Sequence, residues 1–156
     1  MNKLKERESY SRSIDIVIAV KTSDDKILIV QTSNGNYCLP HGYIKYYCTC
    51  AESASLILEE ETGLYFEPNN IKFIRFDDNP ELSEEQNVIF ILKVDSTESS
   101  DELEQFLSID DSEFSELDIL SARFINIKNI DLYEWEENHE EIIEEVCFEK
   151  EKTEID

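Results

Sequence analysis

The chain has 156 residues, 40% of them hydrophobic and 33% charged, and a formal net charge of −23 at pH 7. That length supports one domain with a sizeable core. A field of that sign repels phosphate polymers and so excludes general DNA or RNA binding, while a small phosphorylated ligand stays compatible because a divalent cation can invert the local charge.

Residues 1–11 read as an N-terminal segment, 12–148 as a single domain and 149–156 as an acidic tail. Met1 to Tyr10 is charged and lacks an apolar signal core. No apolar run approaches the roughly 18 residues that a membrane span needs, so no membrane association and a cytoplasmic location are expected. Ile14 to Val20 is rich in β-branched residues and predicts a strand. Thr22-Ser23-Asp24-Asp25 carries turn chemistry and leads to a second strand, Lys26 to Gln31, so the two predict a hairpin. Asn34-Gly35 signals another turn, and Asn36 to Leu39 a short strand that stops at Pro40.

Cys50 to Thr62 predicts a helix, with Ala51, Ala54 and Leu58 at helical spacing, Thr49 or Cys50 at its start and Gly63 at its end. Strands follow at Ile71 to Phe76 and Asn87 to Val94. Residues 95–118 are acidic, with a short helix from Asp101 to Leu107, and Ala122 to Ile127 is a last strand. Asp131 to Phe148 predicts an acidic helix with apolar positions at Trp135, Ile142, Ile143 and Val146. Residues 134–156 hold eleven acids against Lys150 and Lys152, the pattern of a solvated face and tail. The fold class that results is α/β, a central mixed sheet with helices packed on it.

The four cysteines, Cys38, Cys48, Cys50 and Cys147, match no standard zinc spacing. Cys48-x-Cys50 is the pair that metal or redox chemistry would use. The simpler reading is reduced thiols packed as small apolar groups.

The most informative stretch is Leu39-Pro40-His41-Gly42 together with Glu60-Glu61-Thr62-Gly63-Leu64. A glycine turn leads into a loop, and the loop into a helix that ends in two adjacent acids and a glycine. This resembles the box of the Nudix hydrolase family (MutT-like), G-x5-E-x7-R-E-U-x-E-E-x-G-U, where U is a bulky aliphatic residue. Counting strand order as well as the box, the resemblance covers residues 12–148. It implies a mixed β-sheet sandwiched between helices (α/β/α). It also implies hydrolysis, dependent on Mg²⁺ or Mn²⁺, of small molecules linked to a nucleoside diphosphate. There the metals neutralise the phosphates and orient the attacking water. Gly42 and Gly63 match the structural glycines, and Glu60 and Glu61 the acids that bind metal and serve catalysis. About 100° separates neighbours around a helix, close enough for two carboxylates to share cations through oxygen.

The middle of the box departs from the pattern. Cys48 replaces the first acid, Leu56 the arginine and Ile57 the acid beside it. In the family the first acid and the arginine form an ion pair that braces loop against helix. Here both partners are exchanged together, which avoids leaving one charge stranded. Ile57 replaces an acid that binds metal or activates water, and isoleucine does neither. Glu59 points about 160° away from position 57, and Glu52 is also off that face. Lys45 stands where many members carry an acid, and His41 replaces a common glycine. The family also draws acids from a late loop. Glu113 and Glu116, ahead of the strand Arg123-Phe124-Ile125-Asn126-Ile127, resemble that loop and would supply a metal ligand or a base. The plain alternative is a solvated acidic loop.

His41 reads as a turn residue, since no nucleophile and base partner can be named for it. His139, among acids of the last helix, reads as solvated. Tyr43, Tyr46 and Tyr47 either stack on a ligand or pack over the altered turn, packing being the default. Two functional classes follow, the first being the expectation that the resemblance favours and the second its alternative. One is a metal-dependent pyrophosphohydrolase with a reorganised site. The other is a catalytically inactive module of the same fold that binds a small nucleotide-type ligand or a protein partner.

Overall fold

The computed structural model describes residues 14–77, 88–108, 119–136 and 138–154, with side chains described as far as 148. Its strands are β1 (Ile14–Lys21), β2 (Lys26–Thr32), β3 (Tyr37–Cys38), β4 (His41–Tyr43), β5 (Ile71–Asp77), β6 (Val88–Asp95) and β7 (Ile119–Asn126). They form one seven-stranded sheet in the order β3-β2-β1-β6-β5, with β4 also beside β1 and β7 beside β2. β1 and β6 run parallel along their whole length, and the other pairings are antiparallel.

The run Ile-Asp-Ile-Val-Ile-Ala-Val lies at the centre of this sheet because both of its faces are buried, as near-continuous apolar strands are. Ile16, Ile18 and Val20 face one layer, and Val17 and Ala19 the other. On the first side packs α1 (Cys50–Thr62), through Ala54, Ile57 and Leu58. On the second packs α3 (His139–Glu154), through Ile142, Ile143 and Val146. The architecture is the α/β/α sandwich that the sequence predicts. No helix among the described residues is long and apolar enough to cross a membrane.

The predicted β1–β2 hairpin exists at its turn, where Lys21 stands opposite Ile27. Beyond the turn the strands part company. β2 pairs with β7 from Lys26 to Thr32, while β1 pairs with β6. The turn is fixed by Thr22 N–H on Lys26 O (2.9 Å) and by a left-handed Asp25 (φ 58°), a conformation that aspartate tolerates. Asp24 accepts both the Oγ–H (2.6 Å) and the N–H (2.9 Å) of Ser100, at the start of α2 (Ser100–Glu104). The Ser100 hydroxyl first, then Thr22, hold the Asp24 carboxyl well below the usual carboxylate range.

Four elements differ from expectation. β4 is an additional short strand, formed because the chain past Pro40 pairs again with β1, Asp15 opposite Tyr43 and Val17 opposite His41. The short acidic helix spans Ser100–Glu104 rather than Asp101 to Leu107, its first turn set by the Ser99 cap. β7 begins at Ile119, three residues before the predicted strand. The last helix starts at His139 rather than Asp131. Residues Ile127–Leu132 wind as a 3-10 helix, and the backbone around Trp135 is drawn to β3, with Tyr37 N–H on Glu134 O and Glu136 N–H on Tyr37 O, each 2.8 Å. Asn138, left-handed at φ 70°, then sets the chain into α3.

Candidate functional site

Thr49 caps α1 through a reciprocal pair. Its hydroxyl accepts from Glu52 N–H (3.1 Å), and the Glu52 carboxylate accepts from Thr49 N–H (2.9 Å). Two orphan donors of the helix start are thereby satisfied. The bond from Thr49 N–H lowers the Glu52 pKa. At the other end Gly63 is left-handed (φ 83°) and donates to Glu59 O at 3.0 Å. Both ends of the helix therefore match the sequence reading, and they set the rotation at which the box residues are presented.

Gly42 on β4 faces α1, and Ile57 lies directly beneath it. A Cβ built on Gly42 would stand 3.3 Å from Ile57 Cγ1 and 3.4 Å from Cδ1. Ile57 is 2% exposed and belongs to the core on this side of the sheet. The hydrocarbon thus fills the space between turn and helix. Glu60 and Glu61 diverge, as neighbours on a helix must. Glu61 is buried at 4% exposed, whereas Glu60 is on the surface, its carboxylate 3.2 Å from Lys45 Nζ. Lys45 also donates its backbone N–H to Ser53 Oγ at 3.0 Å. A loop-to-helix brace is present, made by Lys45 with Glu60 and Ser53. Leu56 is 40% exposed, and Cys48 is half-buried. Glu113 and Glu116 lie outside the described residues.

The described donors do not suit a divalent cation. Mg²⁺ takes oxygen ligands in near-octahedral array. Position 57 offers methyl groups, an ammonium sits on Glu60, and no three His, Cys, Asp or Glu among the described residues are grouped to hold a metal.

The tyrosines of the loop do not pack over the turn as expected. Tyr46 and Tyr47 are 92% and 105% exposed, with ring centroids 6.3 Å apart, and Tyr43 is 49% exposed. Tyr47 adopts a left-handed backbone (φ 61°), and the N-cap at Thr49 ties down the chain just after it, which leaves the rings outside.

A second constellation was not expected. His139 is buried, 7% exposed, rather than solvated, because the first turn of α3 lies against the sheet. Its Nδ1 accepts the buried Leu39 N–H at 2.9 Å. Its ring centroid is 5.2 Å from that of His41, which is more than a turn residue. His41 Nδ1 lies 3.4 Å from Asp15 Oδ1. Burial disfavours the His41 charge, but the Asp15 carboxylate, by hydrogen bond and charge, together with the hydrogen bond to Cys38, outweighs it and raises the pKa to about 10. Burial first, and the His41 charge second, depress His139 to about 3. One imidazole is thus cationic and its neighbour neutral. The signal that could have pointed here is Asp15, a carboxylate beside the buried aliphatics Ile16 to Val20 of β1, which calls for a partner.

A cleft of about 420 Å³ lies elsewhere, where β5 begins and β6 ends, lined by Phe66, Asn70, Lys72, Asp95 and Thr97 among others. None of Gly42, Glu60 and Glu61 lines it.

No family model matches the sequence, and no curated protein matches it. Solved structures do. The NUDIX domain of Shewanella oneidensis NrtR, in complex with ADP ribose, superposes with TM-score 0.71 at 16% identity, over 94% of this chain and 97% of that one. A bifunctional NMN adenylyltransferase/ADP ribose pyrophosphatase from Francisella tularensis, with AMP and a Mn ion, gives TM-score 0.66 at 19% identity, over 96% of this chain but 46% of that one. The E. coli dihydroneopterin triphosphate pyrophosphohydrolase gives 0.62 at 10% identity, over 87% and 95%. At these identities the likeness shows a shared fold, the Nudix fold.

Proposed function

We propose that this chain is a Nudix-fold module that binds a small nucleotide-type phosphate ligand without metal-dependent hydrolysis, and so serves a binding or regulatory role. The observation that carries this reading is Ile57 packed beneath Gly42, hydrocarbon in the gap where a hydrolase of this fold needs an acid. Lys45 supports it by neutralising Glu60, one of the two remaining box acids. The ligand class is supported by fold neighbours that carry ADP ribose or AMP.

One observation favours the second reading, a Mg²⁺- or Mn²⁺-dependent pyrophosphohydrolase. Glu61 keeps its place at the shielded end of α1. In that reading Glu60 and Glu61 bind metal and Glu113 or Glu116 completes the donors. Calorimetry with ADP-ribose in EDTA and in Mg²⁺, together with turnover assays on nucleotide sugars, dinucleotides and nucleoside triphosphates, separates the two. Binding of similar strength in both buffers, with no turnover, is the expected result. Metal-supported turnover that a Glu60→Gln/Glu61→Gln variant abolishes would decide for the hydrolase.

A further inference from the structure

The cleft where β5 begins and β6 ends has walls fixed from two sides. On one side, Ser55 of α1 donates its hydroxyl to Phe66 O (2.6 Å), and Phe66 packs against the core on the α1 face of the sheet. Pro68 opens the 3-10 turn Pro68–Asn70, which Asn70 N–H closes on Glu67 O (2.9 Å). On the other side, residues 96–98 are tied to the β1–β2 hairpin. Ser96 N–H donates to Lys21 O (2.8 Å), Ser23 N–H donates to Glu98 O (3.0 Å), and Glu98 N–H is taken by Ser96 Oγ (3.0 Å). The cleft is therefore pre-formed, and its volume of about 420 Å³ lies in the range of small-molecule sites.

The polar side chains of this cleft are not used by the fold. Asn69, Asn70, Lys72, Thr97 and Glu98 all line it, and none of these side chains has a hydrogen-bond or ion-pair partner among the described residues. Asp95, also in the lining, is taken by Lys93 (3.2 Å). The two charges left, Lys72 and Glu98, have opposite sign, so the lining selects neither an anion such as phosphate nor a cation. What it presents is hydrogen-bonding capacity of both kinds. Each asparagine amide and the threonine hydroxyl donate and accept, lysine donates, and a carboxylate accepts. Adjacent hydroxyl groups match this mixture, because every hydroxyl is donor and acceptor at once. Phe66 adds an aromatic ring, whose electron-rich face receives aliphatic C–H groups.

We infer that this cleft is a binding site for a neutral saccharide ring, held by the Asn69 and Asn70 amides with Lys72, Thr97 and Glu98, and packed against Phe66. It lies at the far end of β1 from the box residues: Lys21 of β1 stands beside Asp95, whereas Ile16 stands beside Gly42. The site is thus separate from Gly42, Glu60 and Glu61, and it does not depend on the ligand-binding reading above.

Titration of the full chain with D-glucose, D-galactose, N-acetyl-D-glucosamine and lactose, followed by ¹H–¹⁵N spectra, tests this. A ligand this small should bind in the millimolar range. At least one of these sugars should give saturable shifts confined to the amides of residues 66–72 and 94–98. Asn69 and Asn70 are exposed on a turn, so Asn69→Ala/Asn70→Ala should fold as wild type and bind that sugar about tenfold more weakly or worse. Phe66→Leu keeps apolar bulk for the core but removes the ring, and should weaken binding about threefold or more. Inorganic phosphate at matched ionic strength should leave the same amides unmoved. Absence of saturable shifts with every sugar, shifts spread beyond the cleft, unchanged affinity in the asparagine double variant, or phosphate moving these amides in place of the sugars would each overturn the inference.

Discussion

Ile57 stands directly beneath Gly42, so close that a methyl group on the glycine would meet Ile57 Cγ1 at 3.3 Å. The backbone of Gly42 is not left-handed, so alanine is allowed there by conformation and opposed only by Ile57. Gly42→Ala should destabilise by about 1 kcal/mol through crowding. Ile57→Ala, a fully buried large-to-small change, should cost about 2–5 kcal/mol. In the double variant the new methyl falls into the space left by isoleucine, so the Gly42→Ala penalty should vanish or reverse. Urea unfolding of the four proteins measures this coupling. Additive penalties would mean that turn and helix do not touch at this point.

Gly63 presents the opposite case. Its φ of 83° is left-handed, and a Cβ would collide with Ser108 Oγ and lie 2.8 Å from Ser108 N and 2.9 Å from Phe106 O. Two of those contacts are backbone atoms that cannot swing aside. Gly63→Ala should therefore cost more than Gly42→Ala, upward of about 2 kcal/mol from conformation and clash together. Thermal melts of the two variants under one buffer give the order directly. A smaller loss at Gly63 would contradict the geometry.

Much of this fold was legible before any coordinates. Strong periodicity placed β1, β2, α1, β5 and β6 within about one residue, and Thr49 and Gly63 were readable as helix ends because caps have side-chain and φ requirements. Long-range demands were not legible. Tyr37 diverts residues 134–136 from helix to sheet, which no local propensity encodes. That Glu60 and Glu61 stand in the last turn of α1, just ahead of Gly63, could also be read off. What could not be read was that Ile57 fills the space under Gly42, or that Lys45 turns to Glu60. Both depend on the angle between α1 and β4. His139 was misjudged because its sequence neighbours are acids, while its spatial neighbours are Leu39 and His41.

The Lys45–Glu60 pair should matter little for stability. Lys45 is 31% exposed and Glu60 52%, so solvent and salt screen the attraction, and such pairs contribute about 0–1 kcal/mol. Glu60→Gln should leave the melting temperature nearly unchanged, and Glu61→Gln, at a buried position, should lower it measurably. Equal effects from the two substitutions would mean that the two carboxylates share one environment.

Stability should peak near pH 6.5, because the two histidines act in opposite directions. His139 has a folded pKa of about 3 against an ordinary 6.5, so between those values the unfolded chain binds the extra proton and stability rises with pH. His41 has a folded pKa of about 10, so from 6.5 to 10 the native protein binds the extra proton and stability falls as pH rises. Each limb has a slope of about 1.4 kcal/mol per pH unit for one proton. Asp24 and Glu52, whose pKa values are lowered, steepen the acid limb in the same sense but below the ordinary carboxylate range. Cys147, which burial pushes up to about 11 from 9, adds to the alkaline limb only above pH 9. Among the described groups whose pKa is shifted, His41 is the one that titrates between its folded and ordinary values across pH 6.5 to 9, and His139 the one across 5 to 6.5. His41→Gln should flatten the first, and His139→Asn the second while keeping the Leu39 bond. Urea midpoints at half-unit intervals across both windows would test this, and a wild-type profile flat from pH 6.5 to 9 would mean that Asp15 and Cys38 do not hold His41 in its charged form.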